Sequence, residues 1–287
     1  MLHHEEIPEL RDPIMIAAFE GWNDAGEAAT SAIEHLVQAW GAEPVAAFDP
    51  EDFYDFQVNR PRVQRDAGGR LVHWPTTQLL LATSAPLDRD VLLVRGIEPS
   101  MRWRTFTSEL LGFAEEFGVS LFITLGGLLA DVPHTRPIPV TATSDDEVMR
   151  HRFGLEGSTY EGPTGIVGVL TDAAASVDLA SLSCWAAVPH YAGGSPSPKA
   201  TLGLVSKVEE LLDVVVSHGE LSDQARAWEH GVDELASSDD EVADYVHSLE
   251  EAQDTVELPE ASGDAIAKEF ERYLRRRGED QPPTEGS

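Results

Sequence analysis

The sequence predicts an α/β fold: a mostly parallel β-sheet with helices on both faces, followed by an acidic segment that is all helix. Two patterns lead there. Short continuous apolar runs, of the kind found in strands buried on both sides, alternate with longer stretches of helical periodicity. Near Ser217 the alternation stops: no strand signal remains, and apolar stripes at helical spacing follow.

Ile14-Met15-Ile16-Ala17-Ala18-Phe19 reads as the first buried strand, and Asp24 is placed to cap a helix from about Ala25 to Trp40. Pro44 to Phe48 predicts a second strand. Leu71–Trp74 and Gln78–Thr83 predict a hairpin turning at Pro75-Thr76-Thr77. Val91–Val94 is another buried strand, and Phe106, Leu110, Leu111 and Phe113 mark the helix after it. Val119–Leu125 predicts a strand closed by Gly126-Gly127. Ser144-Asp145-Asp146-Glu147 has capping-box spacing and opens a helix. Pro163 suits the first turn of a helix that carries Ile166, Val167, Val169 and Leu170. Leu182–Val188 is the last strand, and Lys199–Val216 the helix behind it.

Beyond Ser217 three amphipathic stripes follow: Leu221, Ala225, Trp228, Val232 and Leu235; then Val242, Tyr245, Val246 and Leu249 behind Ser238-Asp239-Asp240-Glu241; then Ile266, Phe270, Tyr273 and Leu274. The expected organisation is a sandwich domain over residues 1–216, an acidic helical tail over 217–277, and a disordered end over 278–287. Isolated helices of this length are marginal in water, so the stripes must pack on a surface.

The chain's 287 residues fit one large domain or one domain with an appendage, and 42% hydrophobic residues suffice for a sizeable core. Its 51 Asp and Glu against 20 Lys and Arg give a net charge of −31. Such a field repels nucleic acid and anionic lipid, and suits cationic partners or a salty cytoplasm. Cys184 is the only cysteine, so no intrachain disulfide is possible; its apolar surroundings predict a buried, inert thiol. With no apolar run near ~20 residues, neither a membrane span nor a secretory leader is expected, and the chain reads as cytoplasmic.

Ligands of open α/β sheets bind beyond the carboxyl ends of the strands. Four unusual segments lie there: Glu20-Gly21-Trp22-Asn23-Asp24-Ala25-Gly26, Arg95-Gly96-Ile97-Glu98-Pro99-Ser100, Gly126-Gly127 through Asp131-Val132-Pro133-His134-Thr135-Arg136-Pro137, and Val188-Pro189-His190-Tyr191. A fifth, Tyr160-Glu161-Gly162-Pro163-Thr164-Gly165, precedes a helix, where free N–H groups favour an anion. Each also has a plain structural reading: glycines turn the chain, Asp24 caps a helix, and Glu20 with Arg95 and Glu98 forms either an acid/base cluster or an ion pair. His134 and His190 lack metal-ligand spacing, so no metal is expected, and no cofactor either. There is no P-loop, no nucleophile elbow and no dinucleotide fingerprint.

Taken in series, these segments resemble the proteasome assembly chaperone two family in its actinobacterial form. Gly21-Trp22-Asn23-Asp24-Ala25-Gly26 corresponds to the family's opening signature. Arg95-Gly96-Ile97-Glu98-Pro99 with Trp103, and Leu125-Gly126-Gly127 with Pro133-His134-Thr135-Arg136-Pro137, correspond to its middle. Glu161-Gly162-Pro163-Thr164-Gly165 and Pro189-His190-Tyr191 complete it, over roughly residues 5–221. The resemblance implies a three-layer α/β/α sandwich similar to nucleoside phosphorylases and related hydrolases, and a homo-oligomer, a trimer being one option. It implies proteasome assembly as the activity of eukaryotic and archaeal relatives, many of which dock through a hydrophobic-Tyr-X tail. Glu285-Gly286-Ser287 departs from that tail.

Two functional readings follow. The first is a non-enzymatic binding protein or assembly factor with a protein partner, and with neither nucleic acid nor membrane among its partners. The second is an enzyme or small-ligand binder acting on a nucleoside-like or anionic substrate. Its site would combine Glu20, Asn23, Asp24, Arg95, Glu98, Arg102, Gly126, Gly127, His134, Arg136, Glu161, Thr164 and His190, with an arginine clamping the anion and a carboxylate moving a proton. Convergence of these groups in one concave pocket would favour the second reading, and dispersal the first.

Overall fold

The computed structural model describes residues 2–4, 7–66, 68–83, 87–194 and 196–256. The stripe at Ile266, Phe270, Tyr273 and Leu274 and the terminal segment 278–287 lie outside the described residues.

Among the described residues ten strands and eight α-helices follow one another: β1 (Leu2–His4), β2 (Ile14–Glu20), α1 (Ala28–Trp40), β3 (Glu43–Phe48), α2 (Pro50–Phe53), β4 (Arg62–Asp66), β5 (Gly69–His73), β6 (Gln78–Ala82), β7 (Val91–Ile97), α3 (Trp103–Glu116), β8 (Leu121–Ala130), β9 (Val140–Thr143), α4 (Glu147–Phe153), α5 (Ile166–Ser176), β10 (Ser181–Pro189), α6 (Pro198–Leu212), α7 (Leu221–Ser237) and α8 (Asp240–Val256). Eight strands form one sheet in the order β1-β3-β6-β7-β2-β8-β10-β9. The four central strands β7, β2, β8 and β10 are parallel, and the flanking pairings are antiparallel.

Side-chain alternation along β2 divides the core. Ile14, Ile16 and Ala18 face α1 and α6, whereas Met15, Ala17 and Phe19 face α3 and α5. All six are fully buried, as both faces of a helix-covered sheet require. On the α3 side Phe48 and Phe106 stack with centroids 4.5 Å apart, and Phe19 and Phe53 meet Phe106 edge-on. Cys184 is buried in the α1/α6 core, where desolvation pushes its thiol up to about 12, so no thiolate forms near neutral pH.

The acidic helices pack on this frame. α7 lies on α6 through Leu221, Ala225, Val232 and Ala236, and α8 lies on α7 with Val246 and Leu249 buried. Leu235, read as part of the stripe, is 73% exposed; Ala236 takes the inward position in its place. Trp228 is half-buried, its ring edge-on to His134 at 6.5 Å between centroids.

Several local expectations are corrected. The anticipated hairpin at Pro75-Thr76-Thr77 is a crossing between sheets: exposed β5 pairs with β4 in a separate two-stranded ribbon, while buried Leu79–Ala82 joins β3 and β7. Thr77 is fully buried there, its carbonyl accepting from Phe48 N at 2.9 Å. Helix α1 starts at Ala28, after a single 3-10 turn in which Gly26 adopts φ 61°. Pro163 lies in the loop ahead of α5 rather than in its first turn. Helix α6 ends at Leu212 because Asp213 is left-handed, and Glu209 turns back to accept from Val216 N at 2.9 Å.

Gly126-Gly127 does not close β8, which continues to Ala130 beside β10. A Cβ at Gly126 would stand 2.5 Å from the Trp185 ring, and one at Gly127 would stand 2.8 Å from Ala25 O. These glycines permit close approach; they do not turn the chain. Gly126→Ala is therefore expected to destabilise the fold by about 1–3 kcal/mol through overpacking, read as a lower midpoint in urea unfolding.

Candidate functional site

Strands β2 and β8 pair only from Ile14 to Ala17, and the chain then leaves β2 leftward for β3 and β8 rightward for β9. This is the switch point at which α/β sheets open a crevice. The β2–α1 loop fills its floor. Asn23 and Asp24 are buried there, and Gly127 N donates to Asn23 O at 2.8 Å.

Each buried polar group in the loop is satisfied by the chain itself. Asp24 accepts from Ala29 N at 2.7 Å and Thr30 N at 3.2 Å, and from the Thr30 hydroxyl. It therefore caps α1 from outside the intervening 3-10 turn. Burial raises the Asp24 pKa, opposed by those three hydrogen bonds. Asn23 donates to Glu98 Oε1 at 2.9 Å, and the same oxygen accepts from Ile166 N at 2.8 Å. The helix N-terminus behind Glu161-Gly162-Pro163-Thr164-Gly165 thus already holds a carboxylate, that of Glu98.

Above this floor lies an open cavity of about 1290 Å³. Its walls come from the β2–α1 loop, the ends of β8 and β10, the first turns of α5, and Thr141 and Thr143 of β9. Ser183 and Thr171 share a hydrogen bond of 3.0 Å within it. Trp22, Leu128, Leu129 and Tyr160 stand exposed around it at 43–66%. Its charged lining residues are Asp24, Glu27, Asp145 and Asp172, with no Lys, Arg or His among the described lining.

The structure disperses the sequence-predicted site residues. Asn23, Asp24, Gly127 and Thr164 line the cavity. Gly126 and Glu98 support it from beneath, packed against Trp185 and bonded to Asn23 respectively. Glu20 and Arg95 line a separate cavity of about 310 Å³, where Arg95 pairs with Glu34 and Gln78. Burial raises the Glu20 pKa, and Asp24 adds to the rise. Arg102 pairs with Asp52 and sits over the Phe53 ring, and Glu161 is exposed on its loop.

His134, Arg136 and His190 belong to a latch that fastens the β8–β9 loop to α7 and α8. His134 N–H donates to the Tyr191 oxygen at 2.8 Å, and His134 Nδ1 shares a second hydrogen bond of 2.8 Å with the same hydroxyl. Because a carboxylate only accepts, His134 Nε2–H is the donor to Asp233 at 3.0 Å. Burial pushes the Tyr191 phenol up to about 12. Arg136 forks onto Asp254 with two bonds of 2.8 Å and reaches Glu250 at 3.3 Å, while His190 meets Asp131 at 3.2 Å.

Trp22, Leu128, Leu129 and Tyr160 lie inside the segments that the sequence marks, but they were not among the residues expected to form the site; Trp185 lies outside those segments. Among the described residues, no group of three His, Cys, Asp or Glu is arranged to hold a metal ion, and no helix is long and apolar enough to cross a membrane.

A model of the PAC2 family matches residues 18–236. A crystal structure of a PAC2 family protein from Streptomyces avermitilis is 54% identical, covering 82% of this chain and 100% of its own, with a TM-score of 0.78. A proteasome-assembly chaperone homologue from Mycobacterium tuberculosis is 45% identical over 81% of this chain and 99% of its own, TM-score 0.74. An archaeal proteasome activator from Pyrococcus furiosus shares the fold at 20% identity, covering 82% of this chain and 98% of its own, TM-score 0.66. No curated protein matches the chain.

Two outcomes are expected from this geometry. Asn23→Ala removes a donor to Glu98 and should cost about 1–3 kcal/mol, read by chemical unfolding, with Asn23→Asp no better because two carboxylates would then face each other. The Thr135 hydroxyl holds Glu250 below its usual carboxyl range, and Arg136 does so for Asp254. A depressed folded pKa stabilises above the unfolded value and is lost as pH falls through the folded one. Limited proteolysis of α8 should therefore accelerate below the usual values of 4.5 for Glu250 and 3.8 for Asp254, and Arg136→Ala should bring the same susceptibility to neutral pH.

Proposed function

This chain belongs to the PAC2 family, and we propose that it is a non-enzymatic assembly factor that binds other proteins through the open cleft between β2, α5 and β9, with proteasome subunits as the partner class. The observation that carries this reading is the chemistry of the cleft. Its buried polar groups are consumed by the chain's own loops, while tryptophan, leucine and tyrosine side chains stand exposed around it. An exposed apolar rim over a satisfied polar floor suits a protein surface. The name of the Mycobacterium tuberculosis relative points to the same partner class.

The enzymatic reading draws no comparable support. It required the polar candidates to meet in one pocket, and they occupy the large cleft, the smaller cavity, the Asp52 pair and the latch. An anionic substrate would face carboxylates in the cleft, with Arg95 and Arg136 both engaged elsewhere. In the proposed role the chain works in the cytoplasm as a homo-oligomer.

Native mass spectrometry with purified proteasome subunits of the same source tests the proposal. The wild-type chain should form a stoichiometric complex. Trp22→Ser should weaken it by about 2 kcal/mol with an unchanged melting temperature, because that side chain is exposed. No complex across a range of salt concentrations, or a large thermal stabilisation by phosphate or nucleosides in its place, would sink the idea. Sedimentation showing only a 31.2 kDa species would remove the homo-oligomer.

A further inference from the structure

The α3/α5 face of the sandwich is one helix short. On the opposite face α6 covers both β10 and β9. On this face α5 lies over β8 and β10, and the floor beyond it, Thr141, Thr143 and Trp185, stays open as the cleft of about 1290 Å³. A sheet in a layered domain buries both faces, so this floor is the place for one more amphipathic helix.

The chain carries a segment of matching chemistry outside the described residues. Ile266, Phe270, Tyr273 and Leu274 form one apolar stripe, and residues 266–277 hold Lys268, Arg272, Arg275, Arg276 and Arg277 against two glutamates. In residues 217–287 the only other cation is Arg226. The cleft offers the complement: an apolar rim and three exposed carboxylates, Glu27, Asp145 and Asp172, with no cation in its described lining.

The reach is sufficient. Gln253 near the end of α8 donates to Pro137 O at 3.4 Å, and Pro137 is four residues from Thr141 on the cleft floor, at most ~14 Å along extended chain. The nine residues 257–265 span up to ~30 Å.

We infer that residues 266–277 dock in this cleft as an internal occupant, their aliphatic and aromatic stripe on Trp185, Leu128 and Leu129 and their arginines toward Asp145 and Asp172. This rests on the reading of the cleft as a protein-docking surface and adds its regulation: a partner must displace the chain's own basic helix. Being tethered, the segment acts at an effective concentration on the order of millimolar, so a free copy competes poorly.

The test uses the full chain and a labelled peptide of residues 264–277. Phe270→Ser with Tyr273→Ser should free the cleft. The double variant should bind the peptide saturably, and the wild type should bind it roughly tenfold or more weakly. Amide exchange at Leu128–Ala130 and Thr141–Thr143 should be faster in the double variant. Adding Asp145→Lys and Asp172→Lys should weaken peptide binding again, as should salt. Peptide binding to neither protein, or equally to both, overturns the inference. So does a wild-type dimer that the double variant dissolves, because the segment would then sit on a second copy. A double variant that ignores the peptide yet captures proteasome subunits through Trp22 sinks this inference alone. One that binds the peptide and captures no subunit sinks only the docking reading.

Discussion

A buried polar group in a low-dielectric interior must find a partner, and in this protein that requirement ties three loops into one junction. Asn23 comes from the end of β2, Glu98 from the end of β7, and Ile166 N–H from the start of α5. One carboxylate oxygen of Glu98 serves both donors. If any of the three moved, a desolvated donor or acceptor would be stranded at a cost of about 1–3 kcal/mol. The register of the β2–α1 loop, the position of α5 and hence the width of the cleft all depend on that shared oxygen. A second tie, Gly127 N to Asn23 O, fixes the same loop to β8, where the two strands part.

The glycines of this region make the junction possible. Gly26 adopts φ 61° and lies so close to Ser197 that a side chain would collide. Gly126 and Gly127 admit the face of Trp185 on one side and the Ala25 carbonyl on the other. Their role is to let backbone and aromatic ring approach, which leaves the cleft floor flat and open. Gly165 makes room for the Asn23 amide in the same way.

Charge shapes the outer layers. The acidic helices lie beside an already acidic domain, and screening leaves only modest repulsion between exposed charges at physiological ionic strength. Against it stand the apolar stripes of α7 and α8, the local ion pairs of Arg136 with Asp254 and Glu250 and of Lys199 with Glu229, and the hydrogen bond of His134 to Asp233. Arg136 and Lys199 of the sandwich meet carboxylates of α8 and α7, so the two layers complement one another at close range although the chain's net charge is strongly negative.

The sequence by itself determined the layered α/β class, the buried strands β2, β7, β8 and β10, the cap role of Asp24 and the two acidic helices that follow the sandwich, because apolar periodicity and capping chemistry are local in the chain. It also marked the strand-end segments as unusual, and the family they resemble. Only the tertiary structure decided what those segments do. Leu79–Ala82 left its expected hairpin because burial against β3 and β7 outweighs a short turn. Glycine pairs are the same whether they turn a chain or admit a neighbour, so Gly126-Gly127 could be read only once Trp185 and Ala25 were beside them. His134, Arg136 and His190 were legible as polar residues but not as a latch, since the partners of His134 and Arg136 on α7 and α8 lie about a hundred residues away in sequence, and His190 meets Asp131 across a gap that only the fold closes. The cleft rim of Trp22, Leu128, Leu129 and Tyr160 lay within those marked segments, yet its exposure was not legible, because an apolar residue reads as core until the fold shows that no layer covers it.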